Sequence, residues 1–214
     1  DCQTGSGIMN VGRHNPQIVQ KLKEALDTYD IGVFLLCSKQ KADLAKKLAE
    51  ITPGDLKCTI FGVGGGEAND AAIKIARGYT MKTEIISAER AYHGHTGFAL
   101  SAIGRAAYKE PFEPLMPGFK TVPFGDIEAM RSAVTDDTAA IILEPIQGEG
   151  GIHIPPDDYL PEIRKLCDEK EILLILDEIQ TGMARTGKMF ASEHWGVVPD
   201  IMTLAKSLGG GVYP

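Results

Sequence analysis

The stretch Ile172-Leu173-Leu174-Ile175-Leu176-Asp177-Glu178-Ile179-Gln180 decides the fold. Five consecutive apolar residues without alternation describe a strand buried on both faces, and an acid follows them directly. Ala139 to Leu143 repeats the pattern and runs into Glu144. Between the two runs, Tyr159 to Lys170 has helical spacing. Apolar strands joined through a helix describe a parallel sheet. Outward from this unit, Thr59–Val63, Glu84–Ala88, Thr121–Phe124 and Ile201–Leu204 read as further strands. Glu67–Arg77, with Ala68, Ala71, Ala72 and Ile75 on one face, and Ile127–Val134 read as helices. Near the front, Asn15-Pro16 is a cap followed by proline at the first helical position, and Ile18, Val19, Leu22, Ala25 and Leu26 share the face that follows. Ser38 opens another helix, with Leu44, Ala45, Leu48 and Ala49 inward, and Pro53-Gly54 ends it. The expected class is α/β, a mostly parallel sheet wrapped by helices.

Composition narrows the function. The 214 residues are 43% hydrophobic and 24% charged, which is globular rather than disordered or fibrous. With 22 basic and 29 acidic residues the net charge is −7, so nucleic acid and membrane surfaces are not expected partners. No apolar run approaches the length of a membrane span. The four cysteines (Cys2, Cys37, Cys58 and Cys167) form no CxxC pair, which points to a reduced compartment and a cytoplasmic location. His93, His95 and Glu89 lack a further ligand at metal spacing, so no metal is expected. Asp1-Cys2-Gln3 at one end and the glycine-rich Leu208–Pro214 at the other read as cuts within a longer chain.

In open parallel sheets ligands bind beyond the carboxyl ends of the strands, so the residues after each strand carry the chemistry. Gly64-Gly65-Gly66-Glu67-Ala68-Asn69 opens a helix with bare backbone, which suits a phosphate. It lacks the third glycine of a dinucleotide fingerprint. Tyr92-His93-Gly94 offers a ring that could stack on a flat ligand, and Glu144 and Glu149 are carboxylates in a glycine-rich loop. Asp177 ends the deciding strand. Gly182 to Lys188 nearly matches a phosphate-binding loop of nucleotide hydrolases, but Met189 replaces the metal-ligating hydroxyl and the segment trails the acidic strand instead of preceding it. Lys206, after Ile201–Leu204, carries an amine partly withdrawn from water that can act as a nucleophile. A phosphate turn, a ring, an acid and a lysine at separate strand ends are the parts needed to hold pyridoxal phosphate.

The chain resembles the class III (omega-) aminotransferases, pyridoxal-phosphate enzymes of fold type I, along essentially its whole length. The motifs are Gly12-Arg13-His14-Asn15-Pro16, Gly65-Gly66-Glu67-Ala68-Asn69, Tyr92-His93-Gly94, Glu144-Pro145-Ile146-Gln147-Gly148-Glu149-Gly150, Leu176 to Gly182, Arg185-Thr186-Gly187 and Pro199 to Lys206.

The resemblance implies that Lys206 is the Schiff-base lysine, which also moves the substrate proton, and that Asp177 keeps the pyridine nitrogen protonated. It implies a phosphate cup from the amides of Gly65 and Gly66, Tyr92 stacked on the ring with His93 beside it, and Gln180 at the ring hydroxyl. Glu144 and Glu149 match acids on the substrate side. The implied cofactor is pyridoxal 5′-phosphate. The implied partners are an amine or omega-amino acid donor, such as 4-aminobutyrate, ornithine, putrescine or diaminobutyrate, a 2-oxo acid acceptor, and a second subunit in a homodimer. Residues 1–30 then form an N-terminal segment, residues 31–214 part of the large cofactor-binding domain, and the C-terminal small domain lies outside the sequence. Phe34 to Pro53 and Asp200 to Leu208 also resemble dialkylglycine decarboxylases of the same family, which keeps decarboxylation, or an inert fragment, as alternatives. One departure stands out. Family members carry Ser or Thr in the phosphate turn where this chain has Gly64-Gly65-Gly66, a loss of hydrogen bonds worth ~1.5–3 kcal/mol each to a charged acceptor.

Overall fold

The computed structural model describes residues 3–29 and 38–212. Helices α1 (Thr4–Gly7), α2 (Pro16–Thr28), α3 (Lys39–Ile51) and α4 (Gly65–Thr80) precede strand β1 (Glu84–Ala88). Short helices α5 (Gly97–Ala102) and α6 (Ala106–Lys109) lead to β2 (Phe119–Val122). Then come α7 (Ile127–Ala133), β3 (Thr138–Leu143), α8 (Tyr159–Lys170), β4 (Leu173–Asp177) and β5 (Ile201–Thr203). The strands form one sheet in the order β2-β1-β3-β4-β5, and every pairing is parallel.

All six residues of β3 are buried at the centre of the sheet. Because side chains alternate along a strand, Ile141 and Leu143 enter one core and Ala140 and Ile142 the other. The first core is closed by Met130 of α7 and by Tyr159, Leu160, Ile163 and Leu166 of α8. The second is closed by Ala72, Ile73 and Ala76 of α4. The sheet is therefore covered on both faces, as its unalternating apolar strands require.

Local chemistry sets the boundaries. Asn15 Oδ1 accepts from the Gln17 amide at 3.0 Å, and Ser38 Oγ from the Lys41 amide at 3.2 Å, so both expected caps operate. The strand expected at Thr121–Phe124 lies two residues earlier. Pro123 has no N–H for the ladder, while Phe119 is held under the Arg77 guanidinium at 5.1 Å. The expected strand Thr59–Val63 is not one. It pairs with no strand among the described residues, and Ile60 and Val63 stand exposed. On α4 the buried face runs through Asn69, Ala72, Ile73 and Ala76, rotated by about one position from the alanine face, and Ile75 is exposed. On α3 only Leu48 is buried, and Leu44 faces outward. The expected boundary between residues 30 and 31, part of Phe34 to Pro53, and Cys2 and Cys37 lie outside the described residues. Cys58 is exposed, whereas burial pushes the Cys167 thiol up to about 12. Among the described residues no helix is long and apolar enough to cross a membrane.

Candidate active site

From β1 the chain runs to β2 on one side of the sheet and then to β3 on the other, so a crevice opens where the direction reverses. Asp177, at the end of β4, lies beneath it and is 3% exposed. Its Oδ2 accepts from Asn69 Nδ2 at 2.7 Å and faces His93 Nδ1 at 2.8 Å, while Oδ1 accepts from the Ile179 amide at 3.1 Å. Asn69 Nδ2 also donates to the His93 carbonyl at 2.8 Å, and Asn69 Oδ1 accepts from Thr203 Oγ1 at 2.8 Å. One helix and three strand ends thereby fix a single carboxylate. Burial pulls the His93 pKa down, but the hydrogen bond and charge of Asp177, with Glu144 behind them, raise it overall. The other nitrogen, Nε2, is buried and has no partner among the described residues.

Lys206 follows β5 and is half-buried with φ +40°, a left-handed backbone that a lysine rarely adopts. Opposite, the Gly64-Gly65-Gly66 turn opens α4, and its N-cap residue, Gly64, has no side chain with which to cap the helix. Glu67 reaches back to the Val63 amide. A Cβ on Gly65 would meet Ile179 Cδ1 at 3.0 Å, so the bare backbone is what keeps this wall open. Glu144, 6% exposed, accepts from the Tyr92 amide at 3.1 Å and from the Gly148 amide at 3.1 Å, joining the ends of β1 and β3. Burial pushes its carboxyl up to about 7, and the charge of Asp177 adds to the push. Glu149 is exposed at the rim. Burial raises the Tyr92 pKa, and the Glu149 charge adds to this.

A cavity of about 410 Å³ joins these groups. All nine predicted residues line it: Gly65, Gly66, Tyr92, His93, Glu144, Glu149, Asp177, Gln180 and Lys206. An open glycine turn at a helix start, an orphaned buried imidazole nitrogen and a fixed buried carboxylate form a cradle for a flat group with an anionic end.

Several organising residues carry no role in the sequence reading. Asn69 appears there inside the Gly65–Asn69 motif and Thr203 inside the Pro199–Lys206 motif, neither with a role of its own. The N-terminal strap gives no signal beyond its glycines. Thr4, Gly5 and Ser6 are left-handed, the Ser6 carbonyl accepts from Gln180 Nε2 at 3.1 Å, and the Gly7 carbonyl accepts from Ser207 Oγ at 2.7 Å. Gln180 is also held by absence: a Cβ on Gly148 would fall 1.4 Å from its Oε1.

The family model described as aminotransferase class-III matches residues 1–214. An aminotransferase of Archaeoglobus fulgidus is 56% identical across all of this chain and 50% of its own length. The putrescine aminotransferase of Pectobacterium atrosepticum is 52% identical across all of this chain and 48% of its own. An ornithine aminotransferase structure from Toxoplasma gondii, with pyridoxal phosphate at partial occupancy in its active site, superposes with a TM-score of 0.94 at 32% identity. That match covers 99% of this chain and 52% of the other. The chain thus spans about half the length of the curated relatives it matches, and its architecture is that of the fold type I transaminases. Sequence and fold together make the chain a member of the class III aminotransferase family, whose enzymes in general use pyridoxal phosphate.

Proposed function

We propose that this chain forms the cofactor-binding part of a cytoplasmic, homodimeric aminotransferase. It would move an amino group from an amine or omega-amino acid to a 2-oxo acid in two half-reactions. The observation that carries the reading is the buried Asp177 carboxylate, held by Asn69 and His93, with Thr203 fixing Asn69 in turn, in the same cavity as Lys206. Pyridoxal 5′-phosphate, when bound, supplies an electron sink for the charge left when the substrate carbon loses its proton. The amides of Gly65 and Gly66 would hold its phosphate, and Tyr92 would cover a face of the ring. Asp177 would keep a proton on the ring nitrogen, and Gln180 would meet the ring hydroxyl. Lys206 Nζ would hold the cofactor and, once the donor amine has displaced it, the freed amine would take the proton from the substrate carbon and return it one position away. The fixed dipoles of the Asn69–Asp177–His93 network need no reorganisation as charge develops. Glu144 and Glu149 form the acidic substrate side, which suits a donor carrying a second ammonium group. The relatives named for putrescine and ornithine support transfer rather than decarboxylation.

Borohydride reduction of the purified protein with pyridoxal phosphate, followed by peptide mass mapping, tests the reading. The expected result is one cofactor mass on the Lys206 peptide, lost in Lys206→Ala; labelling scattered over surface lysines would refute it.

A further inference from the structure

The glycine turn leaves a question of chemistry: a phosphate held by Gly64-Gly65-Gly66 finds amides but no hydroxyl there. A hydroxyl stands next to it from another element. Thr96 occupies the N-cap position of α5, where a threonine ordinarily accepts from the amide of the second or third helical residue. It makes no such bond. The third amide, Ala99 N, is taken by Asp70 Oδ1 at 2.7 Å, so an acid from α4 caps α5 in place of the threonine. The Thr96 hydroxyl, left without a hydrogen bond among the described residues, lines the cavity beside Gly66.

The approach is close because both backbones lack side chains. A Cβ on Gly94 would lie 2.6 Å from the Gly66 Cα. A Cβ on Gly66 would lie 3.0 Å from Thr96 Oγ1 and 3.4 Å from its Cγ2. Gly66 and Gly94 together therefore let the Tyr92–Thr96 segment settle against the start of α4. The place that a side chain on the turn would fill is occupied by the Thr96 hydroxyl.

We infer that Thr96 is a phosphate-binding residue of this site, donating from Oγ1 the hydrogen bond that the all-glycine turn cannot provide. The inference rests on the proposed pyridoxal-phosphate function. A hydroxyl donating to a dianionic phosphate forms a charge-assisted bond, and its loss weakens binding about ten- to hundredfold.

The test is equilibrium titration of the full-length apoprotein with pyridoxal phosphate, and separately with pyridoxal, for wild type, Thr96→Val and Thr96→Ser. Thr96→Val is expected to weaken pyridoxal phosphate about ten- to hundredfold, leave pyridoxal unchanged and keep the apoprotein melting temperature; Thr96→Ser retains wild-type affinity. Equal weakening for both ligands, or unaltered affinity for pyridoxal phosphate, overturns the inference. A fall in the apoprotein melting temperature of Thr96→Val, as when a helix cap is removed, also overturns it, because the hydroxyl would then serve α5. If the wild type takes up no pyridoxal phosphate, the functional proposal fails and this inference with it; if the wild type binds and Thr96→Val binds equally, only this inference fails.

Discussion

The ends of β1, β3 and β4 and the first third of the chain are built on opposite terms. At the strand ends, polar groups are buried and nearly all are partnered: Asp177, Asn69, Thr203 and Glu144 each make one or more hydrogen bonds of 3.1 Å or less. In the first third, apolar groups lie open: Leu26 is 58% exposed, Ile60 70% and Val63 69%. Helix α2 has no buried residue, although its apolar side chains keep helical spacing. The two regions satisfy the same local rules, since caps, periodicity and strand composition are in order in both. They differ in whether another described element covers the result. Local pattern specifies a face, and only a packing partner turns that face into stability.

The contrast breaks first at Asp177. Asp177→Ala removes the carboxylate proposed to fix a ring proton and leaves His93 and Asn69 facing a void. Single-turnover reaction with an amine donor is expected to slow about 10²–10⁴-fold, while cofactor still labels Lys206. Undiminished turnover would show that the buried network is scaffolding alone. Next in size is the core that supports it. Ile142, fully buried between the sheet and α4, should cost about 2–5 kcal/mol on truncation to alanine, measured by denaturant unfolding. A smaller loss would mean that α4 can collapse onto the gap.

The third effect depends on pH. Burial moves Glu144 from its ordinary 4.5 to about 7, so between those values the folded state holds a proton that the unfolded chain has released. Stability must then fall as pH rises through that window, by something on the order of 3 kcal/mol. The raised pKa of His93 acts with the same sign, since its favourable charge is lost as pH climbs through the folded value. Glu144→Gln should flatten the apoprotein's stability profile between pH 4.5 and 7 and also reduce the His93 contribution, because the Glu144 charge helps to raise that pKa. An unaltered slope would mean that Glu144 exchanges protons with water as freely as a surface acid.

How much of this was legible in the sequence follows the same division. Strands β3 and β4 are readable because burial on both faces needs an unbroken apolar run, and Tyr159–Lys170 matches α8 residue for residue. The nine candidate positions meet in one cavity because strand ends in a parallel sheet converge; Gln180 among them was singled out only through the family resemblance. Thr59–Val63 has strand composition, but composition cannot supply a pairing partner. Asn69 was overlooked because an alanine-rich helix offers several equivalent apolar faces, and the buried one is marked by a polar residue whose partners are 24, 108 and 134 positions away. Thr96 was hidden for a related reason. Its role depends on Asp70 having taken its capping amide, which is a competition between two elements and leaves no periodic trace.

The smallest expected effect is the sharpest test of the opening contrast. Leu26 has the residue type and helical spacing of a core position, and Leu143 has the same residue type at 0% exposure. If burial decides, Leu26→Ala in the 214-residue chain shifts unfolding by less than about 0.5 kcal/mol, since a surface substitution forfeits little apolar contact. The measurement is a denaturant melt repeated over a range of protein concentrations. A loss of about 2 kcal/mol or more that grows with concentration would mean that a second copy covers α2. The same loss independent of concentration would mean that the face is packed within one chain, and the contrast between the two regions would dissolve. A negligible loss leaves burial as the quantity that separates two leucines that local sequence pattern cannot tell apart.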